Sequence, residues 1–358
     1  MSDEALAVVA VGALCPIGLD AAMIAGAANA GISRKQESAF LNNELDPIVL
    51  GYLPDDVLPR LNQKLTPKAG LTFLQKRLLR YAGAALQELR AATNAVAEAP
   101  LLLATPAPWQ EKPIIDRDFL EHLAMQSGIE LALRTSDVIT SGHAAVFEAL
   151  RRAKEEYLLT GQAPYVLVGG VDSYVDPSRL DRLQAENRLL APGVLDGFTP
   201  GEGAAFLLLA TPATCRQDHV TPLAFIEAVG IGSEKGHRYS DETYTGDGLA
   251  SAFAEVVALA ELGPERPITT VLAGFNGENF HAKEWGVSYL RHAEHFAESF
   301  RMEHPAEYAG DMGAALAPVM LVLAAVGLGD GSLDSPVLVW ASSDGPERGA
   351  ALVSGARG

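Results

Sequence analysis

The chain has 358 residues, 48% of them hydrophobic and 20% charged, and its formal net charge is -18 at pH 7. This length allows roughly two or three domains, and so acidic a chain lacks the basic face that nucleic-acid binding or docking on an anionic membrane requires. The two cysteines, Cys15 and Cys215, are too few for a disulfide framework, and no residue spacing resembles a zinc site.

Short apolar runs alternate with amphipathic stretches in the first 210 residues, a pattern typical of α/β layers. The run 5–11 is continuously apolar, as in a strand buried on both faces, and no basic signal-peptide region precedes it, so we expect a cytoplasmic protein. Leu74, Leu78 and Leu79 share one face of a helix predicted over 71–92. The other elements predicted here are helices over 19–31, 116–126 and 141–160, strands over 101–104 and 165–168, and an apolar strand ending at 209.

The segment from about 36 to 68 breaks this alternation, because it carries four prolines and few periodic runs. It is predicted to be a surface insertion or cap. The basic residues in and after it are interpreted as a solvated helix face rather than as a docking patch for an acidic partner. They are Lys64, Lys68, Lys76, Arg77 and Arg80.

The second half repeats the alternation with no low-complexity linker before it, so the halves 1–210 and 211–358 are predicted to share one core. His292 and His295 are assigned to a surface helix within 289–308 and, without a third ligand, to no metal site. The apolar run 312–328 contains glycine and proline and is predicted to fall short of a membrane-spanning helix. The predicted strands are 224–229, 269–273, 337–340 and 349–353, and the helices are 248–260 and 313–326.

Five short motifs occur in a fixed order along nearly the whole chain. They are VGALCPIG at 11–18, TSG at 140–142, GGVD at 169–172, GFTPGEGA at 197–204 and GDMGAA at 310–315. Their order and spacing resemble those of the β-ketoacyl synthases of the thiolase fold. The resemblance implies an α/β protein with five layers, α-β-α-β-α, built from two similar halves. It also implies a homodimer, or a heterodimer with a related subunit, paired through the strand 165–168 that follows the nucleophile helix.

A condensing enzyme of this family needs a reactive cysteine at a helix N-terminus, two histidines and an oxyanion hole of backbone N–H groups. The resemblance places Ile139 at the cysteine, Asn276 at the first histidine and Asp311 at the second. Isoleucine has no group that can attack a thioester, and asparagine is neither an acid nor a base. An aspartate repels the negative charge of an enolate. The catalytic positions are therefore predicted to be degenerate.

The resemblance also assigns an oxyanion loop to the segment that follows the predicted strand 337–340. Ser343, Asp344 and Gly345 are its equivalents, and Pro346 follows them. The backbone amides of Ser343 and Asp344 are expected to remain available as donors, whereas Pro346 has no N–H. The family's glycine-rich pattern is absent here, which agrees with the loss at the other catalytic positions.

Other residues near this site have both a chemical and a structural interpretation. Ser141 is a candidate displaced nucleophile, although an N-cap role is favoured. Cys15 is a second candidate, although a buried structural thiol is favoured. Asp311 is interpreted as a helix cap, His143 as a packed helix histidine and His281 as a histidine on the surface or behind the site.

Departures at separate positions of one site favour a non-catalytic or strongly impaired homologue of the β-ketoacyl synthases. Such a protein would act as a structural, accessory or binding partner, like the chain-length-factor half of a heterodimeric synthase. The alternative is an acyltransferase of the 3-oxoacyl synthase type that uses Ser141, Cys15 or a residue of a partner subunit. Binding of an acyl-carrier protein is disfavoured because that partner is itself acidic, and neither a cofactor nor a metal is expected.

Overall fold

A computed structural model describes residues 4–66, 70–108 and 113–356. Within these ranges the chain forms a mixed sheet of ten strands, a separate two-stranded hairpin and ten α-helices. The strands are β1 (Leu6–Leu14), β2 (Lys35–Leu41), β3 (Pro47–Gly51), β4 (Leu101–Ala104), β5 (Asp137–Ile139), β6 (Tyr165–Ser173), β7 (Glu202–Ala210), β8 (Ala224–Ser233), β9 (Ile268–Ala273), β10 (Phe296–Glu303), β11 (Val337–Ser342) and β12 (Glu347–Gly355). The helices are α1 (Ala21–Asn29), α2 (Phe73–Ala92), α3 (Asp118–Ser127), α4 (Ala145–Arg152), α5 (Pro177–Ala185), α6 (Pro212–Gln217), α7 (Asp247–Leu259), α8 (Asn279–His292), α9 (Ala306–Ala309) and α10 (Leu316–Asp330).

The large sheet contains the same strand arrangement twice. Its order is β10-β9-β11-β12-β8-β1-β7-β6-β4-β5. The first group consists of β1, β4, β5, β6 and β7, and the second consists of β8 to β12. If the strands of each group are counted in chain order, both groups have the order third, second, fourth, fifth, first from the outer edge of the sheet to its centre. The pairings also correspond, since the outer three strands of each group are parallel and the inner contacts are antiparallel. Antiparallel pairing of β1 with β8, from Leu6–Ile226 to Val8–Ala224, joins the groups. The chain therefore consists of two similar α/β halves.

Three clusters of buried apolar residues define the helical layers. Helices α2 and α3 pack against one face of the first half-sheet, and α7 and α8 pack against one face of the second. Helices α1, α4 and α10 belong to a central cluster that both half-sheets share. The result is the five-layer arrangement α-β-α-β-α, which confirms the predicted fold class.

Helix α10 is the most apolar element of the central layer, with eleven of its fifteen residues buried. Together with the turn before it, the helical segment 313–330 is long and apolar enough to cross a membrane, contrary to the sequence-based expectation. However, 78% of this segment is buried inside the protein. A helix that is apolar on all sides is what a layer enclosed by two sheets requires.

The strand predicted to pair two subunits, 165–168, is part of β6 and lies inside the sheet. Tyr165 pairs with Ala210 of β7, and Leu167 pairs with Leu101 of β4. Both edges of β6 are occupied, so the assignment of 165–168 to a subunit contact is wrong. The strand at the outer edge of this half-sheet is β5, which directly precedes the turn 140–144.

The predicted surface insertion 36–68 is more ordered than its composition suggests. It contains nearly all of the β2–β3 hairpin, in which Leu50 is fully buried in a cluster with Tyr174 and Phe198. The turn after this hairpin carries Asp55, which accepts a hydrogen bond from Arg80 at 3.0 Å. The C-terminal end of the insertion, including Lys68, lies outside the described residues.

Arg77 is a core residue, so its assignment to a solvated basic face is wrong, whereas Lys64 is exposed and Lys76 is partly exposed as that interpretation requires. Helix α2 begins with a capping box formed by Thr72 and Gln75, and Arg77 lies in its first turns. The Arg77 guanidinium donates to both carboxylate oxygens of Glu202, at 2.6 and 2.5 Å, and only 4% of its side chain is exposed. This bidentate ion pair joins α2 to β7 in the interior.

Two other segments differ from their predicted structure. The surface helix assigned within 289–308 ends at His292, and residues 296–303 form the edge strand β10, since Phe296 and Phe300 pack against Trp285 of α8. The helix predicted over 141–160 begins with a 3₁₀ turn at Gly142–Ala144, continues as α4 and ends in a π-helical turn at Ala153–Leu158.

Gly313 occupies a position in the central layer where a side chain cannot fit. Its φ is +53°, and a Cβ atom there would overlap Oδ2 of Asp172. Asp172 is held in place by its ion pair with Arg179 and by the N–H of Ala314 at 2.9 Å. We expect Gly313→Ala to lower the free energy of unfolding by roughly 2–4 kcal/mol, measured by urea denaturation.

Gly26→Ala is the matched control for this substitution. Gly26 lies within α1, and a Cβ atom there meets nothing within 4 Å. Alanine should therefore stabilise the protein slightly, by about 0.5–1 kcal/mol, because it removes the backbone freedom of a helical glycine. A similar small gain for Gly313→Ala would contradict the constraint at Gly313.

Candidate functional site

Four segments that the sequence assigned to one site meet between the two halves. Strand β5 ends at Ile139 and is followed by the turn 140–144. Asn276 follows β9, Ser343 follows β11, and Asp311 lies in the turn before α10. Side-chain hydrogen bonds connect these segments to one another, because the parallel strands of each half end at the same edge of their half-sheet.

Ile139 is a packing residue. Its side chain is buried in the central apolar cluster, with 4% of the residue exposed. Its carbonyl accepts hydrogen bonds from the N–H and the hydroxyl of Thr105, at 2.9 and 3.3 Å. With no nucleophilic or titratable atom, this position supplies packing and no covalent chemistry.

Asp311 is the centre of a buried hydrogen-bond network. Its Oδ1 accepts from Nε2 of His143 and from the N–H of Gly313, both at 2.8 Å. Its Oδ2 accepts from the amide of Asn276, also at 2.8 Å. The Gly313 contact satisfies a backbone donor of the helical turn, as a cap would, while the contact with His143 is one that sequence spacing did not indicate.

His143 and Asp311 form a charged pair at neutral pH. Burial lowers the pKa of His143, but the Asp311 carboxylate more than offsets this and raises that pKa from 6.5 to about 9. Burial raises the pKa of Asp311, but His143, Asn276 and the Gly313 N–H together hold that pKa well below its usual 3.8. His143 is therefore an imidazolium, which cannot act as a general base.

Two arginines extend this network to the loop after β11. Arg188 donates to both oxygens of Glu278, each at 2.8 Å, and to both oxygens of Asp344, at 2.8 and 2.9 Å. Arg238 donates to Asp344 at 2.9 Å and ion-pairs with Glu278 at 3.0 Å. Glu278 also accepts from the amide of Asn276 at 3.0 Å, which links the arginines to the Asp311 cluster.

The network, which we call the charge cluster, is electrically balanced. Its three cations and three carboxylates are His143, Arg188, Arg238, Glu278, Asp311 and Asp344. His143 and Arg188 come from the first half of the chain, whereas all three carboxylates come from the second. Because each buried charge has a partner of opposite sign, the cluster is stable as a set and any single deletion upsets its charge balance.

Hydrogen bonds of the Ser343 side chain connect the turn after Ile139 to the end of β11. Its Oγ accepts from the N–H of Ala144 at 3.0 Å and donates to the carbonyl of Ser141 at 2.5 Å. Its own N–H donates to the carbonyl of Glu347 at 3.0 Å, inside the β11–β12 hairpin. The expectation that the Ser343 amide remains available as an oxyanion donor is therefore wrong.

Ser141 does not cap the helix that follows it. Its side chain makes no capping hydrogen bond, and its buried Oγ has no hydrogen-bond partner in the part of the chain that the structure describes. The N-cap interpretation is therefore wrong, and Ser343 bonds the first helical turn instead. His143, the histidine two residues on, is protonated and bonded to Asp311, so no base activates Ser141.

The two other residues considered near this site, His281 and Cys15, are buried and unreactive. His281 is 2% exposed and its ring centroid lies 6.5 Å from that of His143. Burial, helped by the charge of His143, lowers the pKa of His281 to about 3, so this ring is neutral. Cys15 is fully buried, and burial raises its pKa to about 12, so it is a thiol rather than a reactive thiolate.

A pocket of about 220 Å³ opens beside the charge cluster. Its wall includes Gly142, His143 and the three residues assigned to the oxyanion loop, and Ile139 lies outside it. Charged and aromatic side chains contribute much of the remaining surface. They are Asp172, Tyr174, Arg179, Arg182, Glu186, Arg188 and Tyr239.

The ionisation of His143 makes stability depend on pH. Its pKa is about 9 in the folded protein and near 6.5 when unfolded, so the contribution of the pair is complete below pH 6.5 and is lost as the pH rises towards 9. We expect urea denaturation to show a loss of roughly 2–3 kcal/mol across this interval. His143→Gln should be less stable at pH 6 and should lack most of this pH dependence. An unchanged slope in that variant would contradict the assignment.

No family model and no curated protein matches the sequence. Solved structures do match, over 98% of this chain. The ketosynthase from module 6 of the bacillaene synthase of Bacillus subtilis 168 gives a TM-score of 0.78 at 13% identity, with 72% of that chain covered. The ishigamide ketosynthase/chain length factor gives 0.76 at 14% identity, with 99% covered. A ketosynthase in complex with its chain length factor from Xenorhabdus doucetiae gives 0.76 at 15% identity, with 98% covered.

This chain therefore has the thiolase-like fold of the ketosynthases. Within that fold, sequence reasoning missed Arg188, Arg238 and Glu278, which make up half of the charge cluster. Glu278 was detectable in principle, since it follows Asn276 by two residues in the same turn. Arg188 gave no signal, because its partners Glu278 and Asp344 are 90 and 156 residues away in the chain.

Proposed function

We propose that this protein is a ketosynthase homologue without condensing activity that serves as a structural or binding subunit in the cytoplasm. The observation that carries the proposal is the joint replacement at one site. A buried isoleucine ends β5 at the nucleophile position, and Asn276 and Asp311 belong to a charge-neutral network rather than to a pair of histidines. His143, which bonds Asp311, is protonated, and Cys15 is a buried thiol rather than a thiolate.

The similar structures support a partner of related fold, because two of the three are described together with a chain length factor. We place the subunit contact at β5, whose outer edge pairs with no strand among the described residues and whose Asp137 and Val138 are partly exposed. The partner is a second copy or a related ketosynthase. The bacillaene and ishigamide proteins favour a role connected with polyketide assembly.

An acyl-carrier protein is a less suitable partner. One of the similar structures is a type II polyketide ketosynthase in complex with its acyl-carrier protein. The chain described here has a net charge of -18, and its conspicuous arginines, Arg77 and Arg188, are bound to carboxylates in the interior. Repulsion between two acidic surfaces disfavours such a complex.

Acylation of the protein tests this function directly. The protein is incubated with radiolabelled acyl thioesters and a mechanism-based condensing-enzyme inhibitor, with an active ketosynthase as the positive control. We expect no stable adduct by intact mass or label retention, since no activated nucleophile is present. A stoichiometric adduct that disappears in Ser141→Ala or in Cys15→Ala would overturn the proposal and establish the acyltransferase alternative.

A further inference from the structure

We propose that the pocket beside the charge cluster binds a small organic carboxylate. This inference goes beyond the loss of condensing activity and does not depend on it. It starts from the hydrogen-bonding capacity that the pocket lining leaves unused. Buried polar groups normally have partners, so unused donors that face a cavity indicate what the cavity accepts.

Three lining residues that are more than nine-tenths buried have donors without a protein partner. His143 is 7% exposed and uses Nε2 for Asp311, and no hydrogen bond to its Nδ1 occurs among the described residues. Tyr174 is 8% exposed, and its hydroxyl is likewise unbonded in the described ranges. Arg179 is 8% exposed and bonds Asp172 and Ser173 through Nη1 alone. An imidazolium, a phenol and a guanidinium therefore offer donors to one cavity.

The three carboxylates of the same lining already accept hydrogen bonds on both oxygens. Glu186 accepts from Arg182 and from the hydroxyl of Tyr239. Asp172 accepts from Arg179 and from the N–H groups of Ser173 and Ala314. Asp344 accepts from Arg188 and Arg238 with both oxygens. The pocket therefore has spare donors but few spare acceptors, which favours an anionic acceptor over a cation or an amine.

The charged groups around the pocket are balanced. The lining has four cationic side chains, His143, Arg179, Arg182 and Arg188, and three anionic ones, Asp172, Glu186 and Asp344. His143 is also paired with Asp311 behind the lining, so there is no net excess of positive charge. The preference for an anion therefore rests on the unused donors, because hydrogen bonds between an ionised donor and a charged acceptor are the strong ones.

The remaining wall of the pocket favours a ligand with a short apolar chain. Pro106, Ala107, Pro108 and Leu183 line the pocket together with the rings of Tyr174 and Tyr239. A volume of about 220 Å³ is smaller than the pockets of several hundred Å³ that hold drug-sized ligands. Straight-chain carboxylates of about three to eight carbons fit this combination of charge, size and wall.

Isothermal titration calorimetry with pentanoate tests the proposal, with pentanamide and pentan-1-amine as isosteric controls. We expect saturable binding of pentanoate and binding at least about tenfold weaker for the amide and the amine, because hydrogen bonds to a charged acceptor are stronger than those to a neutral one. Absence of saturable binding for every carboxylate from propanoate to octanoate overturns the proposal. Equal affinity for pentanoate and pentanamide overturns it as well.

Tyr174→Phe is the diagnostic variant, because it removes the unbonded hydroxyl and keeps the ring that packs against Phe198 at 5.6 Å. Its affinity for pentanoate should fall about tenfold while its fold, checked by circular dichroism, is unchanged. Tyr52→Phe is the matched control and should bind pentanoate as the wild type does, because Tyr52 lies outside the pocket lining. Equal affinity of Tyr174→Phe and the wild type overturns the assignment. Acylation of the wild-type protein, by contrast, refutes only the proposed function.

Discussion

Asp311→Ala is expected to lower the free energy of unfolding by about 3–5 kcal/mol at pH 6. The substitution leaves the imidazolium of His143 buried without its counter-charge. It also removes the acceptor of the Asn276 amide and of the Gly313 N–H, so three donors lose a partner at once. Urea denaturation followed by circular dichroism measures the loss.

Two further variants separate the charge from the hydrogen bonds. Asp311→Asn keeps an acceptor of similar shape but no charge, so its loss should be smaller than that of Asp311→Ala. The double variant His143→Gln/Asp311→Ala should be more stable than the sum of the single losses predicts, because neither charge remains buried. A loss below about 1 kcal/mol for Asp311→Ala contradicts the central place of this carboxylate.

Arg188→Met is the second substitution with a large expected effect, again about 3–5 kcal/mol of unfolding free energy. Arg188 donates to both oxygens of Glu278 and of Asp344, and its side chain is 6% exposed. Methionine fills similar space but leaves two carboxylates close together with only Arg238 between them. Chemical denaturation at neutral pH should show the loss.

The exposed pair Arg291–Asp247 supplies the control for Arg188. Its side chains are 46% and 63% exposed, so solvent screens the pair and Arg291→Met should lower the free energy of unfolding far less than Arg188→Met does. Combining Arg188→Met with Glu278→Gln should recover part of the stability, since one of the stranded charges is then gone. Equal small losses for Arg188→Met and Arg291→Met would contradict the importance of the buried pair.

The fold could be predicted from the sequence because glycines occur where the backbone lies too close to other residues for a side chain to fit. Gly201, Gly170 and Gly313 lie in three of the quoted motifs, and a Cβ atom at any of them would meet other residues of the central region too closely. Such requirements are local, so short motifs in the right order define the topology. Ile139 directly precedes the motif at 140–142 and Asp311 lies in the motif at 310–315, so the resemblance assigned these two positions from the motifs as well.

Contacts between distant parts of the chain could not be predicted from the sequence. The partners of Arg77 and Arg188 lie far away in sequence, and a basic residue on a helix looks alike whether it faces water or a buried carboxylate. The same limit applies to the sheet edge. Whether 165–168 or β5 is the outer strand depends on the order of strands across the sheet, which local patterns do not encode.

The charge cluster also bears on how such a protein changes over evolutionary time. Replacing Asp311 with histidine would set a second imidazole beside protonated His143, and replacing Asn276 would remove a donor to Asp311 and to Glu278. Each such single substitution leaves a buried partner without its counterpart and lowers stability. Residues of the balanced cluster are therefore expected to change together rather than one at a time, because selection removes the less stable intermediates.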